Sequence, residues 1–556
     1  MANFSDIEPL PFVPFAAGGN VATLPSPDAY ALGSKGAGLV DMARLGLPVP
    51  PGFIFPVSVG AEAVAALDAD KEAFKARVGN ALATGLEHVE ATSGLSFENG
   101  DKPLLVSVRS GGAVSMPGMM DTVLNVGLTR SICEAWAADH ENPAFCWDNY
   151  RRSLQSHAQV VLDVPADDFE LIIEEALSEA REDAVSDLPL DLLIAVCTAF
   201  ETMIEDSHPG FVARPASERL ENAVMAVFAS WNTSRARRYR DMHSVSQSGG
   251  TGVIIQQMVF GNRDARSCTG VYFTRNPSTG ENTPFGEYLP QAQGEEVVSG
   301  IRTPMELTEA SRVRMASDQP SMERTLPDAF DQLIAVGKQL EIHRRDMQEI
   351  EFTVEQGAFF LLQTRTGKRS PKAALAIAVD MAETGIISKE EAINRCSDEL
   401  LAPMLVNRLA VPDGTRPVVK GLPASPGAVS GPVVFTSEAA LEAKAVGQPA
   451  ILLRPETSPS DVHGMDAAIA VLTSRGGMTS HAAVVARGMA KPCITAAMGL
   501  RIKPQEGECV FPGGSLGVGD IISLDGSTGE VFLDDIPLEE AKPTGALATL
   551  LSWKNA

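Results

Sequence analysis

The chain has 556 residues, enough for several domain-sized cores, and its 44% hydrophobic and 21% charged residues are those of a soluble globular protein. No apolar run reaches the ~18 residues that cross a bilayer, and a formal charge of -26 repels nucleic acid and anionic lipid, so any phosphate ligand has to be gripped by local Lys, Arg and backbone NH groups. Seven scattered cysteines without a CxxC pair disfavour a disulfide framework or zinc site, and the opening MANFSDIEPLPFVPF lacks the features of a signal peptide, which leaves the cytoplasm as the expected compartment.

In chain order, SKGAGLVDMARLG (34–46) has helical apolar spacing, with Lys35 in the first turn and a stop at Gly46. Residues 166–206 and 215–241 read as acidic or mixed amphipathic helices, and GVIIQQMV (252–259) as a strand. EIEFTVEQGAFFLLQTR (349–365) alternates about Gln356-Gly357, the signal of a β-hairpin. A register that sets Glu351 opposite Gln363 sets Glu349 opposite Arg365, with all four on one face and Ile350, Phe352, Val354, Leu362 and Thr364 on the other. Carboxylate and amide oxygens suit Mg²⁺ bridging nucleotide phosphates, and Arg365 suits the charge on a transferred phosphoryl group.

Past Gly367, KRSPKAALAIAVDMAETG and KEEAINRCSDELLAPMLVNRL read as two helices before the turn-rich VPDGTRP, a helical linker over 368–417. A second αβ unit spans 418–535, with strands at AILL (450–453), AIAVLT (468–473) and DIISLDG (520–526), and a tail, 536–556, follows as a second linker or a docking segment for a partner. The expected fold class is mixed α/β, in several domains.

In RGGMTSHAAVVARGMAKP (475–492), Thr479 or Ser480 is an N-cap candidate, 482–487 a short helix, and Gly488 with Pro492 its stop. His481 then sits in the first turn, where NH groups and the positive end of the helix dipole favour an anion at the ring. A neutral imidazole there is a nucleophile able to take up a group and release it. Gly476 and Gly477 let the backbone approach a bulky anionic group.

This segment resembles the phosphohistidine signature of the pyruvate phosphate dikinase family. The resemblance extends in order through PLLVSVRSGGAVSMPGMMDTVLNVGL (103–128), CWDNYRRSLQSHAQVVLDV (146–164), TGVYFTRNPSTGENTPFGEYLPQAQGEEVVSGIRTP (269–304), DMQEIEFTVEQGAFFLLQTRTGKR (346–369) and GLPASPGAVSG (421–431), and covers essentially the whole chain. It implies an ATP-grasp nucleotide-binding domain over 1–367, with a helical insertion at about 129–241, and a swivelling β/β/α phosphohistidine domain over 418–535. It implies His481 and Arg365 as catalytic residues; Lys35, Arg109, Gly118, Arg152, Glu349, Glu351 and Gln363 as nucleotide-site residues; and Mg²⁺ on Glu351 and Gln363. Gly476, Gly477, Thr479 and Ser480 would support the phosphohistidine loop. Two departures stand out: RSGGAVSMPG has Ala113 where the family carries arginine, and Glu349 stands where aspartate is usual. The first removes a positive charge beside the phosphate loop and puts the use of inorganic phosphate as second acceptor in doubt.

In the family a (β/α)₈ barrel for pyruvate or phosphoenolpyruvate follows the phosphohistidine domain. Residues 537–556 fall far short of the ~250 a barrel takes. The expectation is therefore an ATP-dependent donor and a histidine carrier without the barrel, passing a phosphoryl group to a small-molecule acceptor on a separate subunit. That acceptor is pyruvate in a split dikinase, or a phenolic hydroxyl as in phenylphosphate synthase and hydroxyacetophenone kinases. A noncatalytic scaffold is the competing reading, against which stands the retention of His481 together with Lys35, Arg109, Glu351, Gln363 and Arg365.

Overall fold

Continuous apolar runs and alternating stretches set the strands of the computed structural model, which describes residues 10–17, 28–114, 116, 119–182, 184–242, 245–246, 249–299, 303–401, 406–412, 414–540 and 544–555. The chain divides into two compact units, Met1–Val259 with Phe360–Gln363, and Phe260–Phe359 with Thr364–Ala556. Among the described residues no helix is long and apolar enough to cross a membrane.

The first unit holds strands β1 (Val13–Phe15), β2 (Gly52–Phe55), β3 (Val106–Gly111), β4 (Thr122–Val126) and β5 (Gly252–Gln257), in the order β1-β2-β5-β3-β4 with every neighbour antiparallel. Helices Lys71–Ser93 and Ala216–Ser230 lay Val78, Leu82, Leu220, Val224 and Phe228 onto Phe53, Phe55, Val106, Val108 and Ile255 of this sheet. Between β4 and β5 the chain is helical, including Pro143–Val161, Ala166–Ala180 and Leu190–Ser207. The helix carrying Lys35 begins earlier than its apolar spacing indicates: it runs Ala29–Arg44, because Asp28 caps it by accepting the Tyr30 N–H. Gly33 interrupts it with φ +75°, a conformation that favours glycine.

The second unit contains an antiparallel sheet of β6 (Cys268–Phe273), β7 (Phe285–Pro290), β8 (Met305–Glu306), β9 (Gln348–Glu355) and β10 (Ala358–Thr366), in the order β10-β9-β6-β7-β8. Glu306, Glu287, Val271 and Glu351 are paired in one row across β8, β7, β6 and β9, and Phe285, Phe273 and Glu349 in another. Directly paired residues share a face, and every second residue returns to it, so Glu287, Glu349 and Glu351 lie on the same side of this sheet. The segment expected to be a linker packs against this unit: Leu375, Ile377 and Met381 of helix Pro371–Glu383 share a core with Phe273, Leu289 and Met347.

The second predicted helix of that segment is shorter than its sequence suggests. Helix Lys389–Arg395 and a short helix at Asp398–Leu401 give way to strand β11 (Val406–Leu409), because its backbone pairs antiparallel with the tail. The tail is therefore an intrachain element. Its helix Ala546–Lys554 buries Leu547 and Leu550 in the same core as Leu375.

The remaining strands are β12 (Val419–Lys420), β13 (Leu422–Ser425), β14 (Ala428–Val434), β15 (Ile451–Arg454), β16 (Ala470–Thr473), β17 (Cys493–Thr495), β18 (Arg501–Lys503), β19 (Glu508–Phe511), β20 (Gly514–Gly517), β21 (Ile521–Asp525), β22 (Glu530–Phe532) and the tail strand β23 (Leu538–Glu540). Eight of them form one sheet, β12-β22-β21-β14-β15-β16-β17-β13, in which β14 to β17 are parallel neighbours. Both faces of the parallel part are covered: Ile451, Leu453, Leu472 and Ile494 enter one core, and Leu452, Val471 and Cys493 the other.

Candidate functional site

The histidine segment leaves the end of β16 and turns back onto the sheet. Gly476, at φ +91°, makes the turn, Arg475 N–H bonds to the Pro455 carbonyl at 2.9 Å, and helix His481–Gly488 starts directly after Ser480. Ala482, Ala483 and Ala486 bury its inner face beside Leu452 and Val471. His481 is the first helical residue. Its ring is half-buried, and Nδ1 lies 3.0 Å from Thr457 Oγ1. Burial pulls the imidazole pKa below its ordinary value, with Lys368 adding to the shift and Asp461 opposing it. Burial thus favours the neutral ring, one nitrogen of which, Nδ1, is engaged with a hydroxyl.

Thr479 and Ser480 do not act as side-chain caps. Ser480 occupies the N-cap position without a side-chain cap hydrogen bond, and its Oγ is buried with no partner among the described residues. The Thr479 hydroxyl instead donates to Glu287 Oε2 at 2.9 Å, while Met478 N–H donates to Glu287 Oε1 at 2.8 Å. Gly477 serves this contact, since a Cβ there would sit 2.5 Å from a Glu287 oxygen. The helix also runs through Gly488 to a cap at Met489, and the positive φ falls on Ala490, because the Met489 N–H closes onto the last turn.

Glu287 is 3% exposed and its pKa is raised by burial, against the two hydrogen bonds and the Arg487 charge. Opposite it across the strand pair, Glu306 is pushed up to about 7 by burial and by the Glu287 charge. Arg487, 1% exposed, donates to the carbonyls of Ala424 at 2.9 Å and Met478 at 2.7 Å, so it ties the histidine loop to β13. Burial lowers its pKa to about 10.

Glu349 and Arg365 form an ion pair on β9 and β10. The carboxylates of Glu349 and Glu351 together raise the Arg365 pKa against its burial. Glu349 Oε2 and Arg365 Nε are buried without hydrogen-bond partners among the described residues. An orphaned carboxylate oxygen beside an orphaned guanidinium N–H suits a bound cation and a bound anion together, so this donor set fits Mg²⁺ with phosphate.

In the first unit, Arg109 on β3 donates to Gln363 Oε1 at 3.0 Å and to the Leu362 carbonyl at 3.3 Å. Ser34, beside Lys35, bonds through N–H to the Gly112 carbonyl at 2.8 Å, and this ties the lysine helix to the end of β3. Gln363 thus presents its oxygen to Arg109. Arg152, on helix Pro143–Val161, is held by Asp148 at 2.8 Å. Arg151 and Arg152 together hold the Asp148 carboxyl well below the usual carboxylate range despite its burial. Gly118 lies outside the described residues; Met116 and Met119 near it are buried against Trp231 and Ala236.

Sequence reasoning gave no place to Thr457, Glu287 and Arg487, which hold the histidine segment. The SPSD stretch after Thr457 carries a signal: Ser458 and Asp461 form a capping box, which marks an ordered turn behind the histidine. Glu287 and Arg487 sit within strings that are apolar on either side and become informative only once paired.

This arrangement defines a multidomain α/β protein in which a sheet-bearing domain grips the loop of a first-turn histidine. Residues 71–324 match the family model "Pyruvate phosphate dikinase, AMP/ATP-binding domain", and residues 436–529 match "PEP-utilising enzyme, mobile domain". The chain is 43% identical over 534 residues to "Pyruvate, phosphate dikinase" of Rhizobium meliloti (strain 1021), and 42% over 528 residues to that of Clostridium symbiosum. It is 43% identical over 528 residues to "Pyruvate, phosphate dikinase 2" of Zea mays. These matches take in 95%, 94% and 94% of this chain but 58%, 58% and 57% of the relatives, so the chain spans under two thirds of their length. Over its AMP/ATP-binding and mobile-domain segments the chain is similar to the pyruvate phosphate dikinase family.

Proposed function

We propose that the protein is an ATP-dependent dikinase-type phosphotransferase that phosphorylates itself on His481 and then passes the phosphoryl group to a small-molecule acceptor. The observation that carries this is the histidine itself: a neutral first-turn ring, held at Nδ1 by Thr457, directly after Ser480, whose Oγ is buried without a partner among the described residues. In this reading Lys35, Arg109, Arg152, Gly118, Glu349, Glu351 and Gln363 serve ATP, and Glu351 with Gln363, once its oxygen turns from Arg109, would hold Mg²⁺, which would neutralise phosphate charge. Arg365 stabilises the transferred group. The assignment of residues 1–367 to nucleotide binding and 418–535 to a swivelling carrier is supported by the two family-model spans.

The relatives' printed name favours pyruvate and phosphate over a phenolic hydroxyl as acceptors. We place the acceptor site outside the described residues, none of whose sheets closes into a (β/α)₈ barrel. A reducing compartment such as the cytoplasm agrees with seven buried, free cysteines. The test is incubation with [β-³²P]ATP and Mg²⁺. Acid-labile label on the wild type and none on His481→Ala is the expected result, and no label on either overturns the proposal in favour of a scaffold.

A further inference from the structure

Asp461 has no part in the reaction described above, yet its carboxylate, 4% exposed, gathers partners from a turn, a helix and a strand. Oδ2 accepts the Ser458 N–H at 2.9 Å and the Ser458 hydroxyl at 3.1 Å. Oδ1 accepts the Ser437 hydroxyl at 2.9 Å and lies 3.4 Å from Arg454 Nη2. Ser437 opens helix Ser437–Ala445, and Arg454 ends β15 with Nη1 on the Phe435 carbonyl at 3.3 Å. A capping box for the turn Pro459–Asp461 uses Ser458 and Asp461 alone. The helix and the strand are additional, and they anchor the carboxylate to the eight-stranded sheet. Packing here is tight: a Cβ on Gly464 would come within 2.4–2.5 Å of Ser437 Cα, Cβ and Oγ.

The Ser458 N–H belongs to the same planar peptide unit as the Thr457 carbonyl. By donating to Asp461, that N–H fixes the backbone directly after Thr457. Before Thr457, the Arg475 N–H donates to the Pro455 carbonyl at 2.9 Å and the Ser474 N–H to the Arg454 carbonyl at 3.4 Å. Thr457 itself lies outside any helix or strand, so these flanking bonds set its direction. Threonine is β-branched and stiff at χ1, so a hydroxyl aimed by its backbone stays aimed. That hydroxyl is the group that meets His481 Nδ1 at 3.0 Å.

We propose that Asp461 is a positioning residue for the loading of His481: it fixes the peptide plane after Thr457 and so keeps the Thr457 hydroxyl on Nδ1. The proposal rests on the phosphohistidine reading above. Asp461 acts through Thr457, which gives it a kinetic signature. Removing its carboxylate costs no more than removing the Thr457 hydroxyl, and costs nothing further once that hydroxyl is gone.

The experiment is single-turnover loading of the full chain from [β-³²P]ATP with Mg²⁺, with ATP affinity measured separately. It compares wild type, Asp461→Ala, Asp461→Asn, Thr457→Val and the double variant of Asp461→Ala with Thr457→Val. Loading about tenfold slower in Asp461→Ala is expected, at unchanged ATP affinity. Asp461→Asn keeps an oxygen for the Ser458 N–H and is expected to restore most of the rate. The double variant is expected to load at the rate of Thr457→Val. An undiminished rate in Asp461→Ala, or losses that multiply in the double variant, overturns this proposal alone. No label on the wild type overturns the phosphohistidine reading and this one with it. Should Asp461→Ala fail to fold, an ester in place of the Thr457–Ser458 peptide bond decides, because it deletes only the N–H that Asp461 accepts. Slowed loading by the ester is expected, and an undiminished rate overturns the proposal.

Discussion

Glu287 and Thr479 stand 192 positions apart in the chain and meet through a buried 2.9 Å hydrogen bond that holds the histidine loop against strand β7. Because Glu287 is buried, removing the hydroxyl leaves a carboxylate oxygen with no compensation. Thr479→Val is expected to destabilise the fold by about 1–3 kcal/mol, and Thr479→Ser by less. Urea unfolding midpoints of the two variants check this.

The same contact governs Gly477. An alanine there drives its methyl to within 2.5–2.8 Å of the Glu287 carboxyl, so the loop has to shift at a cost of about 1–3 kcal/mol. Combining Gly477→Ala with Glu287→Ala relieves the clash. The double variant is expected to lose less than the sum of the two single losses, measured by a double-mutant unfolding cycle.

Glu306 gives the pH dependence a definite sign. Its pKa rises from the ordinary 4.5 to about 7, so between those values the folded state binds more protons than the unfolded state. The stability it contributes is full below 4.5 and is lost as pH rises through 7. Glu306→Gln, neutral throughout, is expected to keep that stability at pH 8, so its thermal midpoint exceeds that of the wild type there and converges with it at pH 4.5. A midpoint series across this range checks the crossover.

In the proposed reaction Thr457 would hold the His481 ring in place, so Thr457→Val is expected to slow His481 loading by about tenfold or more with the unfolding midpoint little changed, while Thr457→Ser retains most of the rate. Since the imidazole pKa is held below its ordinary 6.5, loading by the wild type persists into mildly acid solution. A pH–rate profile of single-turnover labelling reads both effects.

The tail helix is part of the core of the second unit. Leu550 is 0% exposed and packs with Leu375 and Met381, so Leu550→Ala is expected to cost about 2–5 kcal/mol. Differential scanning calorimetry shows it as a lowered transition.

What the sequence made legible follows from locality. The strands at 450–453, 468–473 and 520–526, the hairpin about Gln356-Gly357 and the first-turn position of His481 depend on periodicity and turn chemistry within a dozen residues. VNRL was misread as helix because its strand state is decided by a tail over a hundred residues away. The start of the Lys35 helix was missed because Asp28 caps it across a glycine break. In the candidate site, the Glu349–Arg365 pairing was readable from alternation, whereas Thr479 was read as an N-cap candidate and Gly477 as room for an anion, and the structure sets both against Glu287. No local pattern encodes a contact between residues 192 apart.

The most direct measurement of the central claim is the site of the label. After reaction with [β-³²P]ATP and Mg²⁺, alkaline proteolysis and peptide mapping are expected to place acid-labile phosphate on His481, at Nε2, with none on any other residue. Label on a different side chain, or at Nδ1 of His481, contradicts the account.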